Sequence, residues 1–170
     1  MSFASNGMAH HYRDFQELLR SLNDRGARYV IVGGYAIAHH GWPRYTKDLD
    51  LLIEMTPDNA QRVVQALAAF GFSGPEISAE KLTNPRTLLR LGRPPTQVEI
   101  LTSIDGVSWD EVYANREPGE YAGVPVAYIG REQFIQNKRA AGRLRDLADI
   151  EDIGEDPGQP RPRNNPPTDE

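Results

Sequence analysis

Two short apolar runs, each followed by a helix-start signal, constrain the fold of this chain most. Tyr29–Val32 and Asp48–Glu54 have the length and apolar content of buried strands. Gly33-Gly34 breaks the first run ahead of a short helical segment at 35–40. Thr56-Pro57 follows the second run and is typical of a helix N-terminus, with Thr as the N-cap. Strands and helices therefore alternate, which favours a sheet covered by helices.

Hydrophobic spacing extends this alternation on both sides. Apolar residues spaced by three and four predict one amphipathic helix around Phe15–Leu22, ending near Gly26, and another from Thr56 to Gly71. Two further strands, Arg86–Leu91 and Thr96–Leu101, are separated by four residues and predict an antiparallel hairpin. The residues between Phe72 and Asn84 carry no clear pattern.

Patterns in the C-terminal third of the chain predict three more elements. Trp109–Arg116 is a short helix, and Glu132–Ile153 is helical with a possible break near Gly142. Val124–Tyr128 alternates as a strand does, and its Pro125 predicts an edge position because proline has no N–H for the ladder. We therefore predict an α/β (α+β) domain with a mixed β-sheet, helices packed mainly on one face, and C-terminal helices.

The domain is predicted to cover residues 12–153. Residues 1–11 are expected to form a flexible N-terminus, and 154–170 a disordered, proline-rich tail. The tail reads GEDPGQPRPRNNPPTDE and contains no aliphatic or aromatic side chain, so it has nothing to bury that would offset its ordering entropy.

Composition excludes several classes of protein. The 170 residues include no cysteine, which excludes a disulfide framework, a thiolate zinc site and a cysteine nucleophile. The formal net charge of −5 argues against broad coating of DNA but not against a local basic pocket for a phosphate. No apolar run approaches the roughly 20 residues that span a bilayer, and no signal peptide is recognisable. We therefore expect a cytoplasmic protein that does not associate with membranes.

Paired carboxylates mark the second predicted strand. Asp48 and Asp50 are two residues apart, so they point to the same face with Cα atoms about 6.6 Å apart. Glu99 alternates with Val98 and Ile100 in a later strand. If the two strands are neighbours, three carboxylates converge and can hold two magnesium ions about 3.5–4 Å apart. The alternative is that Asp48 and Asp50 lie at a solvated strand end.

Two further features have both a structural and a functional interpretation. Gly33-Gly34 is either a tight strand-to-helix turn or a place where backbone amides bind a phosphate. Lys138 lies on the apolar stripe of its helix with Phe134 and Ile135, so it either extends to solvent or faces an anion in a cleft.

Two charged pairs and two neighbouring histidines are interpreted as structural features. Arg143 with Asp146, and Arg145 with Asp149, are spaced as surface ion pairs on a helix. His39-His40 is interpreted as a pair of basic residues at the negative end of a short helix, and not as a zinc site.

The combined pattern resembles the signature of the polymerase-β-like nucleotidyltransferases. Val32-Gly33-Gly34 is followed after thirteen residues by Asp48-Leu49-Asp50-Leu51, and Val98-Glu99-Ile100 matches the third acid of that family. The segments 44–50 and 138–149 are similar to the small bacterial branch that includes stand-alone nucleotidyltransferases and AbiEii-type toxins. The resemblance covers roughly residues 12–153.

The resemblance implies a transferase that moves a nucleoside monophosphate from an NTP to an acceptor hydroxyl by a two-metal mechanism. Two Mg²⁺ ions, with Mn²⁺ as a possible substitute, would be held by Asp48, Asp50 and Glu99, and Glu99 would help to activate the acceptor. The implied nucleotide-binding residues are Gly33, Gly34, Arg44, Thr46 and Lys138.

The resemblance does not identify the acceptor. RNA, a protein or a small molecule all stay open, as does a cognate toxin or antitoxin partner. A non-catalytic nucleotide-binding or toxin–antitoxin interaction module on the same fold is the alternative. A metal-dependent phosphohydrolase, with water as the acceptor, is a third possibility.

Overall fold

The computed structural model describes residues 3–42, 48–94 and 96–153. The elements follow in the order α1 (Phe3–Asp24), β1 (Tyr29–Val32), α2 (Gly33–His39), β2 (Asp48–Ile53), α3 (Pro57–Phe70), a 3-10 turn (Lys81–Thr83), β3 (Leu88–Arg93), β4 (Thr96–Leu101), α4 (Trp109–Ala114), β5 (Glu117–Tyr121), β6 (Val124–Tyr128), α5 (Arg131–Ala141) and α6 (Leu144–Ile153).

The six strands form one mixed sheet in the order β3-β4-β2-β1-β6-β5. Strand β2 lies at its centre, antiparallel to β1 and parallel to β4, and the hairpin predicted between β3 and β4 is present. The predicted fold class, a mixed sheet with helices packed against it, is confirmed. Of the described helices, none carries an apolar stretch long enough to cross a bilayer.

A buried asparagine joins the start of β1 to the end of β2. Asn59, 3% exposed on α3, accepts from the backbone N–H of Arg28 and donates to the carbonyl oxygens of Arg28 and Glu54. Thr56 caps α3 as predicted, since its side chain accepts from the backbone N–H of Asn59. These bonds add partners for backbone groups where β1 begins and β2 ends.

The prediction that β6 is an edge strand is wrong. Strand β5, which the sequence patterns did not reveal, pairs with β6 and forms the actual edge. Pro125 is tolerated because the pairing of β6 with β1 is at Tyr128, away from the proline. Ala122 and Gly123, with φ of 47° and 82°, form the two-residue turn between β5 and β6. With this turn, Glu120 and Pro125 are an opposite pair that exchanges no ladder hydrogen bonds, so β5 needs no N–H from the proline.

Several boundaries differ from the predicted ones. Helix α1 begins at Phe3, ahead of the expected domain start at residue 12. Helix α2 begins at Gly33 and not after the glycine pair. Strand β3 is shifted by two residues, to Leu88–Arg93. The break near Gly142 is confirmed, because Gly142 ends α5 in the left-handed conformation. The predicted tail, 154–170, lies outside the described residues.

Candidate active site

The three predicted carboxylates lie on one face at the centre of the sheet. Asp50 is in register with Glu99 of β4 on one side and with Val32 of β1 on the other. Side chains that are directly opposite on neighbouring strands point to the same face. Asp48, two residues before Asp50, shares that face and is opposite Gln97. The expectation that the two strands are neighbours is confirmed.

Gly33 lies directly against the carboxylate of Asp50. A Cβ atom on Gly33 would be 2.0 Å from Oδ2 of Asp50 and 2.9 Å from its Cγ, and Gly33 has a φ of +70°. Both the close approach and the left-handed backbone require glycine. The first turn of α2 therefore packs on the acid of β2, and Gly34, in the same turn, is buried.

The surroundings of Asp50 oppose its ionisation. Burial raises the pKa of Asp50 to about 8, together with a hydrogen bond and a charge from Glu99 and the charge of Asp48, while Lys138 acts in the opposite direction. The Oδ1 atom of Asp50 is buried and has no hydrogen-bond partner among the described residues. A buried oxygen of this kind, beside two more carboxylates, has the chemistry of a ligand for a hard divalent cation.

Arg90 holds the third carboxylate. Its Nε and Nη2 atoms donate to Oε1 of Glu99 at 3.0 and 2.9 Å, and both residues lie in the same row of the sheet as Asp50. Within the described ranges, no three His, Asp or Glu side chains are grouped as a ready-made metal site. Asp48 and Asp50 are adjacent and offer the carboxylate oxygens that Mg²⁺ prefers, while Glu99 is engaged by arginine.

Lys138 faces inward and does not extend to solvent. Its side chain is 13% exposed, and its charge lowers the pKa of Asp50. Its Nζ atom is 3.1 Å from Oδ1 of Asp146 and 3.4 Å from Oδ2 of Asp149, both on α6. The α5–α6 pair therefore places a cation on the side of the sheet where the carboxylates lie.

The predicted ion pair between Arg143 and Asp146 is present at 2.7 Å, but the expected surface location is wrong, because Asp146 and Asp149 are both buried. Their side chains are 1% and 2% exposed, while Leu144 and Leu147 of the same helix are largely exposed. Burial alone would raise the pKa of Asp146, but hydrogen bonds from Arg143 and Lys138 lower it overall. The sequence analysis missed this role, although the i, i+3 spacing of the aspartates was a signal that they share one face.

The remaining predicted features are Arg44, Thr46 and the histidine pair. Arg44 and Thr46 lie outside the described residues. His39 and His40 end α2 and contact Glu117 of β5 at 3.0 and 3.7 Å, while His40 also bonds the carbonyl of Ile129. They therefore tie α2 to the far edge of the sheet.

Sequence comparison decides the family. A family model described as "Nucleotidyl transferase of unknown function (DUF2204)" matches residues 11–160. The chain belongs to this nucleotidyl transferase family. The predicted resemblance to nucleotidyltransferases is thereby confirmed. A search of the curated proteins gave no match.

Two solved structures match this chain, to different extents. A protein of Thermotoga maritima assigned as a nucleotidyltransferase superposes with a TM-score of 0.58 at 17% identity, over 84% of this chain and 91% of that one. An antigenic nucleotidyltransferase-like protein of Paracoccidioides brasiliensis matches with a TM-score of 0.45 at 25% identity, over 80% of this chain and 70% of that one. The first match supports the fold assignment.

Replacing Asp50 with asparagine should stabilise the metal-free protein in a pH-dependent way. The pKa of Asp50 rises from 3.8 to about 8 on folding, so its cost is absent below pH 3.8, grows as pH rises, and is complete above about pH 8. In a chelator, Asp50→Asn should melt at least about 3 °C above wild type at pH 8. The two proteins should melt together near pH 3.8. Glu120→Gln, at an exposed acid, should follow wild type throughout; equal melting of Asp50→Asn and wild type at pH 8 would contradict the burial of this charge.

Gly33→Ala should destabilise the fold more than the same change at Gly41, a glycine that also has a positive φ but has room for a side chain. Gly41 has a φ of +95°, and no atom of the described residues lies within 4 Å of an added Cβ, which makes Gly41→Ala the matched control. We expect Gly41→Ala to cost about 1–2 kcal/mol of unfolding free energy and Gly33→Ala about 2 kcal/mol more. In an Asp50→Ala background the extra cost should largely disappear. Persistence of the full cost there would mean that Asp50 is not what Gly33 accommodates.

Lys138→Met should destabilise the fold, because it leaves two buried carboxylates without their shared ammonium. The expected loss is about 3 kcal/mol in urea unfolding at neutral pH. Asp146→Asn with Asp149→Asn should restore much of it in the Lys138→Met background. Arg139→Met, at the exposed neighbour, should change stability by less than about 0.5 kcal/mol. A harmless Lys138→Met would show that the ion pairs do not bear on folding.

Proposed function

We propose that this protein catalyses metal-dependent transfer of a nucleoside monophosphate from an NTP to an acceptor hydroxyl in the cytoplasm. The observation that carries the proposal is the row Val32–Asp50–Glu99, in which Gly33 packs on Asp50 and a buried oxygen of Asp50 has no hydrogen-bond partner among the described residues. A merely structural strand would gain nothing from burying an acid beside two others.

Asp48, Asp50 and Glu99 are the residues that would hold Mg²⁺, or Mn²⁺ in its place. Bound divalent metal supplies Lewis-acid stabilisation of the charge on the phosphoryl oxygens. Loss of the proton that Asp50 retains near neutral pH is coupled to metal binding, because only the ionised carboxylate is a strong ligand.

The reaction follows from the same residues. The acceptor oxygen attacks the α-phosphorus of the NTP, the bond from that phosphorus to the bridging oxygen of the β-phosphate breaks, and pyrophosphate leaves with the electron pair. Glu99 takes the proton of the acceptor hydroxyl. Arg90, whose own side chain is largely exposed, binds the Oε1 atom of Glu99. This contact gives Glu99 a fixed orientation at the rim of the site.

Lys138 and the Gly33-Gly34 turn would bind the triphosphate. The turn presents backbone N–H groups beside Asp50, and Lys138 supplies a point charge for the leaving phosphates. Asp146 and Asp149 hold the lysine extended, so its ammonium does not need to be ordered when the nucleotide arrives. Arg44 and Thr46 are further candidates for nucleotide contacts on the basis of the family resemblance.

The acceptor is proposed only as a hydroxyl of RNA, a protein or a small molecule. A role in a toxin–antitoxin pair is compatible with each of these. The alternative is a non-catalytic nucleotide-binding or toxin–antitoxin module. It is less well supported, because a binding module would not need the three adjacent acids.

Transfer of label from an NTP tests the proposal. Incubation with each [α-³²P]NTP, Mg²⁺ and cell extract should label a macromolecule or small acceptor and release pyrophosphate. Asp48→Asn and Asp50→Asn should each lower the rate by at least about a hundredfold, while Glu120→Gln should not change it. Binding without turnover would favour the module, and release of label as nucleoside monophosphate would favour a hydrolase. Full activity in both Asp variants would overturn the site.

A further inference from the structure

A second polar cavity lies at the opposite end of β1 from the carboxylates. It has a volume of about 660 Å³ and is open to solvent. Its lining includes three arginines, Arg28, Arg62 and Arg116, and no acidic residue among the described ones. The chain as a whole carries a net charge of −5, so this cavity differs in sign from the rest of the protein. Three guanidinium groups that line one cavity also repel each other.

The three arginines reach the cavity from separate elements. Arg28 precedes β1, Arg62 lies on α3, and Arg116 follows α4. Residues far apart in the chain thus converge only in the folded protein, which distinguishes the cavity from a charged run on one helix. Pro125 and Val126 of β6 add an apolar wall.

Neighbouring groups orient each guanidinium. Arg116 lies 3.7 Å above the ring of Tyr113 and donates to that residue's carbonyl oxygen, while Arg28 lies 5.6 Å from the same ring. The Nη1 atom of Arg62 donates to the carbonyl oxygen of Gly26 at 3.1 Å. Side chains held in this way lose less entropy when an anion binds.

One carboxylate forms an ion pair with an arginine of the cavity. Glu54, behind the cavity, pairs with Nη1 of Arg28 at 3.0 Å. Neither Arg62 nor Arg116 has a carboxylate within ion-pairing distance in the described part of the chain. Three cations against one acid leave a local excess of positive charge, and most N–H donors of the three guanidiniums stay available for a ligand.

The chemistry of the cavity fits an oxyanion such as a phosphate ester. Planar guanidinium forks bind phosphate oxygens through paired hydrogen bonds. The ring of Tyr113 is already engaged, since Arg116 lies 3.7 Å over it and Trp109 stacks on it at 5.1 Å. Recognition therefore depends on the phosphate and on a small apolar contact, not on base stacking.

The cavity is separate from the candidate active site. Arg28, Val30 and Val32 alternate to the same face, and Val32 is in register with Asp50. Four residues of extended chain span about 13 Å, so Arg28 and the carboxylates lie at opposite ends of β1. A triphosphate bound at Gly33 does not reach the three arginines while it contacts Asp50.

We propose that the cavity between Arg28, Arg62 and Arg116 is a second, phosphate-binding site of this protein. Its ligand carries a phosphate ester, which either a nucleic-acid backbone or a free nucleotide supplies. The site does not depend on the proposed reaction, because none of its residues belongs to the carboxylate cluster.

Anion titrations in EDTA, in an Asp50→Asn background, test this site apart from catalysis. The probes are tripolyphosphate, AMP and a short fluorescein-labelled single-stranded oligonucleotide, with binding followed by Trp109 fluorescence or anisotropy. Arg62→Gln with Arg116→Gln should weaken binding by about tenfold or more, as loss of two charge-assisted contacts implies. Glu54→Gln should strengthen it several-fold. Lys81→Gln, at an exposed lysine outside the cavity, should bind within about twofold of its parent.

The outcomes separate the ligand sources and the failures. Only binding that Arg62→Gln with Arg116→Gln weakens supports the proposal; binding that this variant leaves unchanged lies elsewhere and overturns it. For the weakened binding, comparable affinity for AMP and the oligonucleotide assigns the site to a mononucleotide, and a clear preference for the oligonucleotide assigns it to a strand. Absence of binding by every probe, or an equal loss in Lys81→Gln, also overturns the proposal. Circular dichroism of each variant confirms folding, and the opposite sign expected for Glu54→Gln cannot come from unfolding. Loss of the transfer activity described above would leave these results unchanged.

Discussion

The contact between Gly33 and the carboxylate of Asp50 is the constraint on which the site depends. It joins the end of β1 to the middle of β2, and it works only because residue 33 lacks a side chain and adopts a positive φ. Asp50 is thereby pressed into the protein beside Glu99 and Asp48, where desolvation and like charges oppose its ionisation. The fold thus holds an acid in a place that is unfavourable until a cation is near.

The rest of the molecule supplies positive charge around that acid. Lys138 approaches from α5, held by two buried aspartates of α6, and Arg90 reaches Glu99 from β3. The ion pairs of Lys138 are a costly way to stabilise a helix pair, since both aspartates lose their hydration. Their arrangement makes sense as a support for the lysine. Helix α6 accordingly buries Asp146 and Asp149 and exposes Leu144 and Leu147, the reverse of an ordinary amphipathic helix.

Local patterns in the sequence were enough to predict much of this architecture. The alternation in β4 and the acid pair in β2 indicated a shared face, and the register confirms it. The two errors concern neighbours that local patterns do not identify: the i, i+3 spacing of Asp146 and Asp149 shows a shared face but not what covers it. Strand β5 carries Pro118 and Gly119 and few apolar residues, so it is a strand only because β6 pairs with it. Asp146 looked like a surface residue because its burial depends on Lys138, eight residues away.

The dependence of Lys138 on α6 also sets an order of events during synthesis. The three carboxylates of the sheet belong to residues 48–99, and that part of the chain emerges first from the ribosome. Until the segment after Gly142 has emerged and docked, Lys138 lacks both aspartates that orient it. A nascent chain can therefore form the acidic half of the site while the basic half is still absent. Newly made molecules lack an oriented Lys138 ammonium beside the carboxylates until the last helix closes on α5.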